Sequence, residues 1–346
     1  MSSIFDKLCS DGLITDYPHH MRNNVHYEVV MGSTAYGVST DQSDIDVYGF
    51  CMPPKDILFP YSSGNIVGFG EKPETFKQYQ KHHIKDVSDN KEYDISIYSI
   101  VRFFHLCMGN NPNMIDSLFV PTRCVIHSTS IGNHVRDNRK LFLSRKSWHT
   151  FKGYAFSQLH KMQNKYAKQF VDYCVKYDLP IDAPLKDLLK PVKGDEYELR
   201  RVHRIINKIE TNGKRSKRLP MIMKHGYDTK FGYHVVRLLD ECQQILEDGD
   251  IDLTRSREML KSIRRGEWPI EVIIEYFESK LITLEESYNK SNLRYSCDED
   301  EIKALLLECI EMHYGNVEKF GFRKDTDISD YIIKAMRNLD KAMREL

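Results

Sequence analysis

Neither sign of charge dominates this chain: 50 Lys and Arg stand against 50 Asp and Glu, for a formal net charge of zero. That balance supplies no global pull toward nucleic acid and leaves only local basic patches to do so. Long apolar runs are missing too, and none approaches the roughly 20 residues of a membrane-spanning helix. The opening Met1-Ser2-Ser3-Ile4-Phe5-Asp6-Lys7 lacks the charged-then-apolar order of a secretion signal. The eight cysteines include no Cys-x-x-Cys pair and no metal-ligand spacing. Scattered thiols fit a reducing compartment and buried, inert roles, so the expected location is the cytoplasm, with no membrane partner. No internal repeat and no low-complexity segment is present. What is there is ordinary for a globular chain: 346 residues, 41% hydrophobic, 11% aromatic and 29% charged, with room for two domains.

The informative stretch runs from Val25 to Met52. Val25-His26-Tyr27-Glu28-Val29-Val30-Met31 reads as a strand rich in β-branched and aromatic residues, with Val25, Tyr27, Val29 and Met31 on one face. Gly32-Ser33 breaks it, and Thr34-Ala35-Tyr36 opens a short helix. A glycine at that point lets the backbone approach a ligand closely. The first N–H groups of a helix favour an anion, and Ser33 adds a hydroxyl. The next strand, Asp44 to Met52, is stopped by Pro53-Pro54. Residues two apart in a strand face the same side, so Asp44 and Asp46 project together. Two carboxylates this close repel unless a cation sits between them. Mg²⁺ takes one or two carboxylates plus substrate phosphates, and a pair of such ions holds the attacking and leaving oxygens of an in-line displacement. The third carboxylate is expected at Asp94, in Glu92-Tyr93-Asp94-Ile95-Ser96-Ile97-Tyr98, with Glu92 on the same face as the fallback.

An apolar residue, Gly-Ser, a short spacer and Asp-apolar-Asp-apolar (Met31, Gly32, Ser33, Asp44, Ile45, Asp46, Val47) resemble the signature of the DNA polymerase β-like nucleotidyltransferases. The longer pattern, with Ala35-Tyr36-Gly37, Ser43 and Gly49, is similar to the YcgL/RlaP type within that superfamily. The likeness continues in Gly109-Asn110-Asn111-Pro112-Asn113, in Gly153 to Gln158, and in Gly226-Tyr227-Asp228-x-Lys230 with His234 and Arg237. It implies a minimal polymerase-β-like α/β domain with a mixed sheet. It also implies transfer of a nucleoside monophosphate from an NTP to a hydroxyl, in the RlaP branch near RNA repair.

The second half reads as mainly helical, giving a catalytic domain over 1–145 and a helical domain over 146–346. Helices are expected over 146–177, 196–210, 229–246, 255–264, 269–289, 300–313 and 328–346. Lys230, His234 and Arg237, at i, i+4 and i+7, stack on one helix face. They form a stripe of potential cations suited to a triphosphate, Arg by paired hydrogen bonds and Lys as a point charge. Asp228 reads as the cap of that helix. The 186–224 segment is strongly basic and is either a solvated face or a track for an RNA backbone; its aromatics are sparse, which argues against base stacking there. The expected chemistry is therefore a nucleotidyl transfer with Mg²⁺ at Asp44, Asp46 and Asp94. Gly32, Ser33, Lys230, His234 and Arg237 would hold the nucleotide. Two rivals remain open: an enzyme that adds AMP to a protein or small molecule, and a binding module without catalysis.

Overall fold

A computed structural model describes residues 3–40, 43–63, 70, 75–211, 214–215 and 218–316. The helix expected over 328–346 and most of the basic turn 212–217 lie outside the described residues.

Five strands form a mixed sheet: β1 (Val25–Val30), β2 (Ile45–Cys51), β3 (Gln78–Asp86), β4 (Lys91–Ser99) and β5 (Val125–Ser128). Their spatial order is β3-β4-β2-β1-β5. β1 runs antiparallel to β2 and β5, β3 antiparallel to β4, and β2 parallel to β4 with Asp46 opposite Asp94. Around the sheet lie α1 (Ile4–Ser10), α2 (Gly32–Ala35), α3 (Lys55–Leu58), α4 (Ile100–Met108), α5 (Pro112–Phe119) and α6 (Ser130–Asp137). The rest is helical: α7 (Ser147–Gln163), α8 (Lys165–Lys176), α9 (Leu185–Leu188), α10 (Glu196–Ile209), α11 (Leu219–His225), α12 (Thr229–Asp248), α13 (Arg257–Arg264), α14 (Ile270–Lys290) and α15 (Glu299–Tyr314). Among the described residues a two-strand hairpin, β6 (Glu210–Thr211) with β7 (Lys214–Arg215), interrupts these helices. The fold is thus a mixed five-stranded sheet with helices, followed by a mainly helical region. No helix among the described residues is long and apolar enough to cross a membrane.

Strand alternation sorts the sheet into two faces. Val47, Ile95 and Ile97 pack with Phe5 and Leu8 of α1. Tyr27, Val29, Phe50 and Tyr98 pack with α4, α5, α7 and α12 on the other side, in a cluster that extends to Leu305 of α15 and so runs across residue 145. Val25 joins the first cluster rather than the second, because the register of β1 shifts between Val25 and Tyr27. A separate apolar cluster holds Phe170, Leu188, Ile205 and Ile222, from α8 to α11. The single helix expected over 146–177 is two. Asn164, at φ 24°, breaks it and then caps α8 by accepting from the Ala167 N–H at 3.2 Å.

Candidate active site

Where the sheet face bearing Asp46 and Tyr48 meets the start of α12, a cavity of about 360 Å³ opens. Its walls carry Gly32, Ser33, Asp44, Asp46, Asp94, Lys230 and His234, so seven of the eight expected site residues share one space. The strands explain the carboxylates. Asp46 and Asp94 are register partners on parallel neighbours, about 4.8 Å apart across the ladder, and Asp44 precedes β2 on the same side. Burial is the largest influence on Asp46 and pushes its pKa up. Asp94 and Asp44 push the same way, and the Lys230 ammonium opposes them. Asp94 is held from the other side by the bulge in β3, where the His83 N–H donates to its Oδ1 at 2.7 Å and His82 Nδ1 lies 3.4 Å from Oδ2. Glu92, the fallback, is instead taken up by the His83 ring.

Gly32 enters α2 with φ at +63°, a conformation that side chains with a Cβ rarely adopt. A Cβ there would stand 2.2 Å from Asp46 Oδ2, so the space beside that carboxylate exists only because residue 32 is glycine. Asp228 caps α12, accepting from the Lys230 N–H at 3.0 Å and pairing with Arg218.

Two members of the expected cationic stripe behave differently. Arg237 does not reach the cavity. It is buried between Asp116 and Glu241, with its guanidinium 4.2 Å above the Tyr36 ring, while the Tyr36 hydroxyl donates to Asp116 at 2.8 Å. A guanidinium shared by two buried carboxylates is not available to a phosphate. His234 does line the cavity, but as a neutral ring. Burial holds its pKa well below the ordinary value, and Arg237, Lys230 and Arg264 reinforce this.

The cavity also carries residues that the sequence did not single out for this role. Arg264, at the end of α13, donates to the Val38 carbonyl at 2.8 Å and supplies the positive charge that Arg237 does not. No spacing in the sequence ties it to the Gly-Ser turn. Tyr233 and Asn113 join it. Tyr233 was recoverable, because it sits three residues after Lys230 on the same helical side; so was Asn113, in the first turn after Asn111-Pro112.

Among the described residues no three His, Cys, Asp or Glu side chains gather into a ready metal cage. The donor set nonetheless fits Mg²⁺: three hard carboxylates at one cavity, with clear space beside Asp46 Oδ2. An ion of this kind completes its shell with water and substrate phosphate.

A small-residue turn, a carboxylate pair on a mixed sheet and a cationic helix start define a class, the nucleotidyltransferase-like α/β proteins. The chain belongs to the family described as "RlaP: RNA repair pathway DNA polymerase beta family", whose model matches residues 14–268. An uncharacterized 38.9 kDa protein from the nrdC-mobD intergenic region of Enterobacteria phage T4 is 29% identical over 160 residues, 41% of this chain and 44% of that protein. The chain thus spans less than half the length of this curated relative. A solved nucleotidyltransferase-like protein from Exiguobacterium sibiricum 255-15 aligns over 95% of this chain and 90% of its own, at 10% identity and a TM-score of 0.25. At that score the assignment rests on the family match alone.

Proposed function

We propose that this protein is a Mg²⁺-dependent nucleotidyltransferase that moves a nucleoside monophosphate from an NTP to a hydroxyl at an RNA end. The observation that carries the reading is the cavity itself, which Asp44, Asp46, Asp94, Lys230, Arg264 and the Gly32-Ser33 turn line together. Negative groups suited to a metal and positive groups suited to a triphosphate share one wall-to-wall space. The family's link to an RNA repair pathway favours an RNA acceptor.

In this reading Gly32 and Ser33 approach the β- and γ-phosphates, and Lys230 and Arg264 neutralise them. Asp44, Asp46 and Asp94 would hold the metal, which, when bound, offsets phosphate charge and aligns the reacting oxygens. Asp94, oriented by the His83 N–H, accepts the proton of the attacking hydroxyl. The new bond forms to the α-phosphorus, the bond to the β-phosphate oxygen breaks, and pyrophosphate leaves. His234, being neutral, serves as a hydrogen-bonding wall rather than a counter-charge.

The test is a transfer assay with each NTP labelled at the α-phosphate, Mg²⁺ and cellular RNA. Label should enter RNA with one preferred nucleotide. Asp46→Asn should lower the rate by about 10²-fold or more, since electrostatic groups at such sites carry terms of that size, without changing the melting temperature by more than a few degrees. Near-normal turnover in Asp46→Asn would overturn the scheme. Label on protein instead of RNA would move the reading to the AMP-adding class.

A further inference from the structure

We propose that a groove along the outer face of α7 binds the acceptor as single-stranded RNA, a site that deepens the transferase reading above and rests on it. The groove encloses about 460 Å³ and is lined by His149, Gly153, Tyr154, Ser157, Gln158 and Lys161, among others. Three independent observations converge there.

The first is charge. From Asn138 through Val171 the sequence contains no Asp or Glu, although acids and bases balance at 50 each in the whole chain. Among the described residues neither Lys152 nor Lys161 is in an ion pair. Each rests on an aromatic ring instead, Lys152 Nζ 4.2 Å from the centre of Trp148 and Lys161 Nζ 5.7 Å from that of Phe231. The more basic segment over 186–224 is different. Lys190, Arg200 and Arg201 are each taken by an acid three or four residues away. What sets the α7 stretch apart is therefore the lack of any acid of its own beside its cations.

The second is Gly153. It lies in the exposed interior of α7, where glycine costs about 1 kcal/mol relative to alanine. Its φ is not positive, and a Cβ built there would meet nothing within 4 Å beyond its chain neighbours and the adjoining helix backbone. Neither backbone nor packing requires glycine. What it does is keep the groove floor open.

The third is direction. Tyr154, 39% exposed, offers a ring on which a base can stack. Its hydroxyl accepts from Asn111 Nδ2 at 2.9 Å, and Asn111 caps the helix whose first turn brings Asn113 to the catalytic cavity. At the other end Lys161 reaches Phe231, the neighbour of Lys230. From His149 to Lys161 the helix spans about 18 Å. A stacking ring, hydroxyl and amide groups and a lysine, with no carboxylate in the lining, match a flexible polynucleotide strand. A duplex would not present its bases to Tyr154.

The test is fluorescence anisotropy of the full chain with a short fluorescein-labelled single-stranded RNA at low salt, and a hairpin RNA as competitor. Gly153→Trp should weaken binding by about tenfold or more, and Lys161→Glu several-fold, in keeping with the size of stacking and phosphate contacts. Gly153→Ala, which adds a single methyl group to the groove floor, should lose much less affinity than Gly153→Trp. On the same samples the melting temperature should stay unchanged in Gly153→Trp and Lys161→Glu and rise slightly in Gly153→Ala, and the NTP-induced thermal shift should stay unchanged in all three. Wild-type affinity in both Gly153→Trp and Lys161→Glu would overturn the proposal, as would preference for the hairpin. Absence of a shift with any of the four NTPs in the wild type, with RNA binding still lost in Gly153→Trp, would sink the transferase reading while supporting the groove.

Discussion

Arg237 shows how far one residue's role depends on depth along a helix. It shares a face with Lys230, but seven residues carry it about 10 Å further along the axis, past the cavity and into the core. There Asp116 is fully buried and Glu241 is 2% exposed. Burial raises the pKa of both carboxyls, and Arg237 opposes that rise. Removing one partner of such a cluster leaves uncompensated buried charge, a loss of about 3–5 kcal/mol. Arg237→Met should therefore lower the urea midpoint by that equivalent while NTP affinity in the folded fraction stays within a few-fold. A phosphate ligand would behave oppositely, with affinity lost and the midpoint kept. The same residue marks a limit of sequence reading. Periodicity gives the face of a helix, which is why Lys230 and His234 were legible at the cavity. It does not give the level at which that face stops meeting solvent. Arg264 was illegible for a different reason, since only tertiary packing brings α13 to the Gly-Ser turn. For the carboxylates strand alternation gave the face, and the parallel pairing of β2 with β4, which only the structure shows, sets Asp46 opposite Asp94.

At the scale of elements, boundaries with a local physical cause were legible and those without were not. Asp228 accepts the first N–H bond of α12, the cap its sequence predicts, and Ser99 does the same for α4. The docking of α15 has no such local signal. Its last turn brings His313 Nδ1 to 3.1 Å from Nε2 of His26 on β1, and His26 Nδ1 lies 3.0 Å from the Thr129 hydroxyl. Burial, with His313 and His127 nearby, lowers the His26 pKa to about 4, and burial lowers that of His313. The folded state thus holds neutral rings, whereas an unfolded histidine titrates near 6.5. Between about 6.5 and 4 the unfolded chain binds more protons, so stability should fall as pH drops through that window and level off near its lower end. The His26 share is at most about 3 kcal/mol, from the span of that window. Melting curves from pH 7 to 4 should show a shallower acid loss in His26→Gln than in wild type. Parallel curves would mean that the contact between β1 and α15 does not carry the effect.

At the scale of the molecule, the helical region is two things. α7, α12, α14 and α15 share a core with the sheet, while α8 to α11 close around their own apolar cluster. That second unit leaves and returns at nearly one point: the Asp228 N–H donates to the Met162 carbonyl at 3.3 Å. Chain that departs and rejoins at such a closure adds little to the core it leaves. It does carry the 186–224 segment, with several of its cations paired to nearby acids and exposed pairs of that kind contributing little energy. Replacing residues 165–225 by a short Gly/Ser linker should therefore keep one cooperative urea transition, at a modestly lower midpoint. It should also keep the thermal shift induced by the preferred NTP, because Asp44, Asp46, Asp94, Lys230 and Arg264 all lie outside the excised stretch. RNA affinity should fall only several-fold, with a reduced salt slope, if the segment supplies outlying phosphate contacts to a strand seated on α7. Complete loss of RNA binding with the NTP shift retained would instead make the α8–α11 unit the principal RNA-binding element. Loss of the cooperative transition itself would show that the unit is integral to the fold despite its separate core.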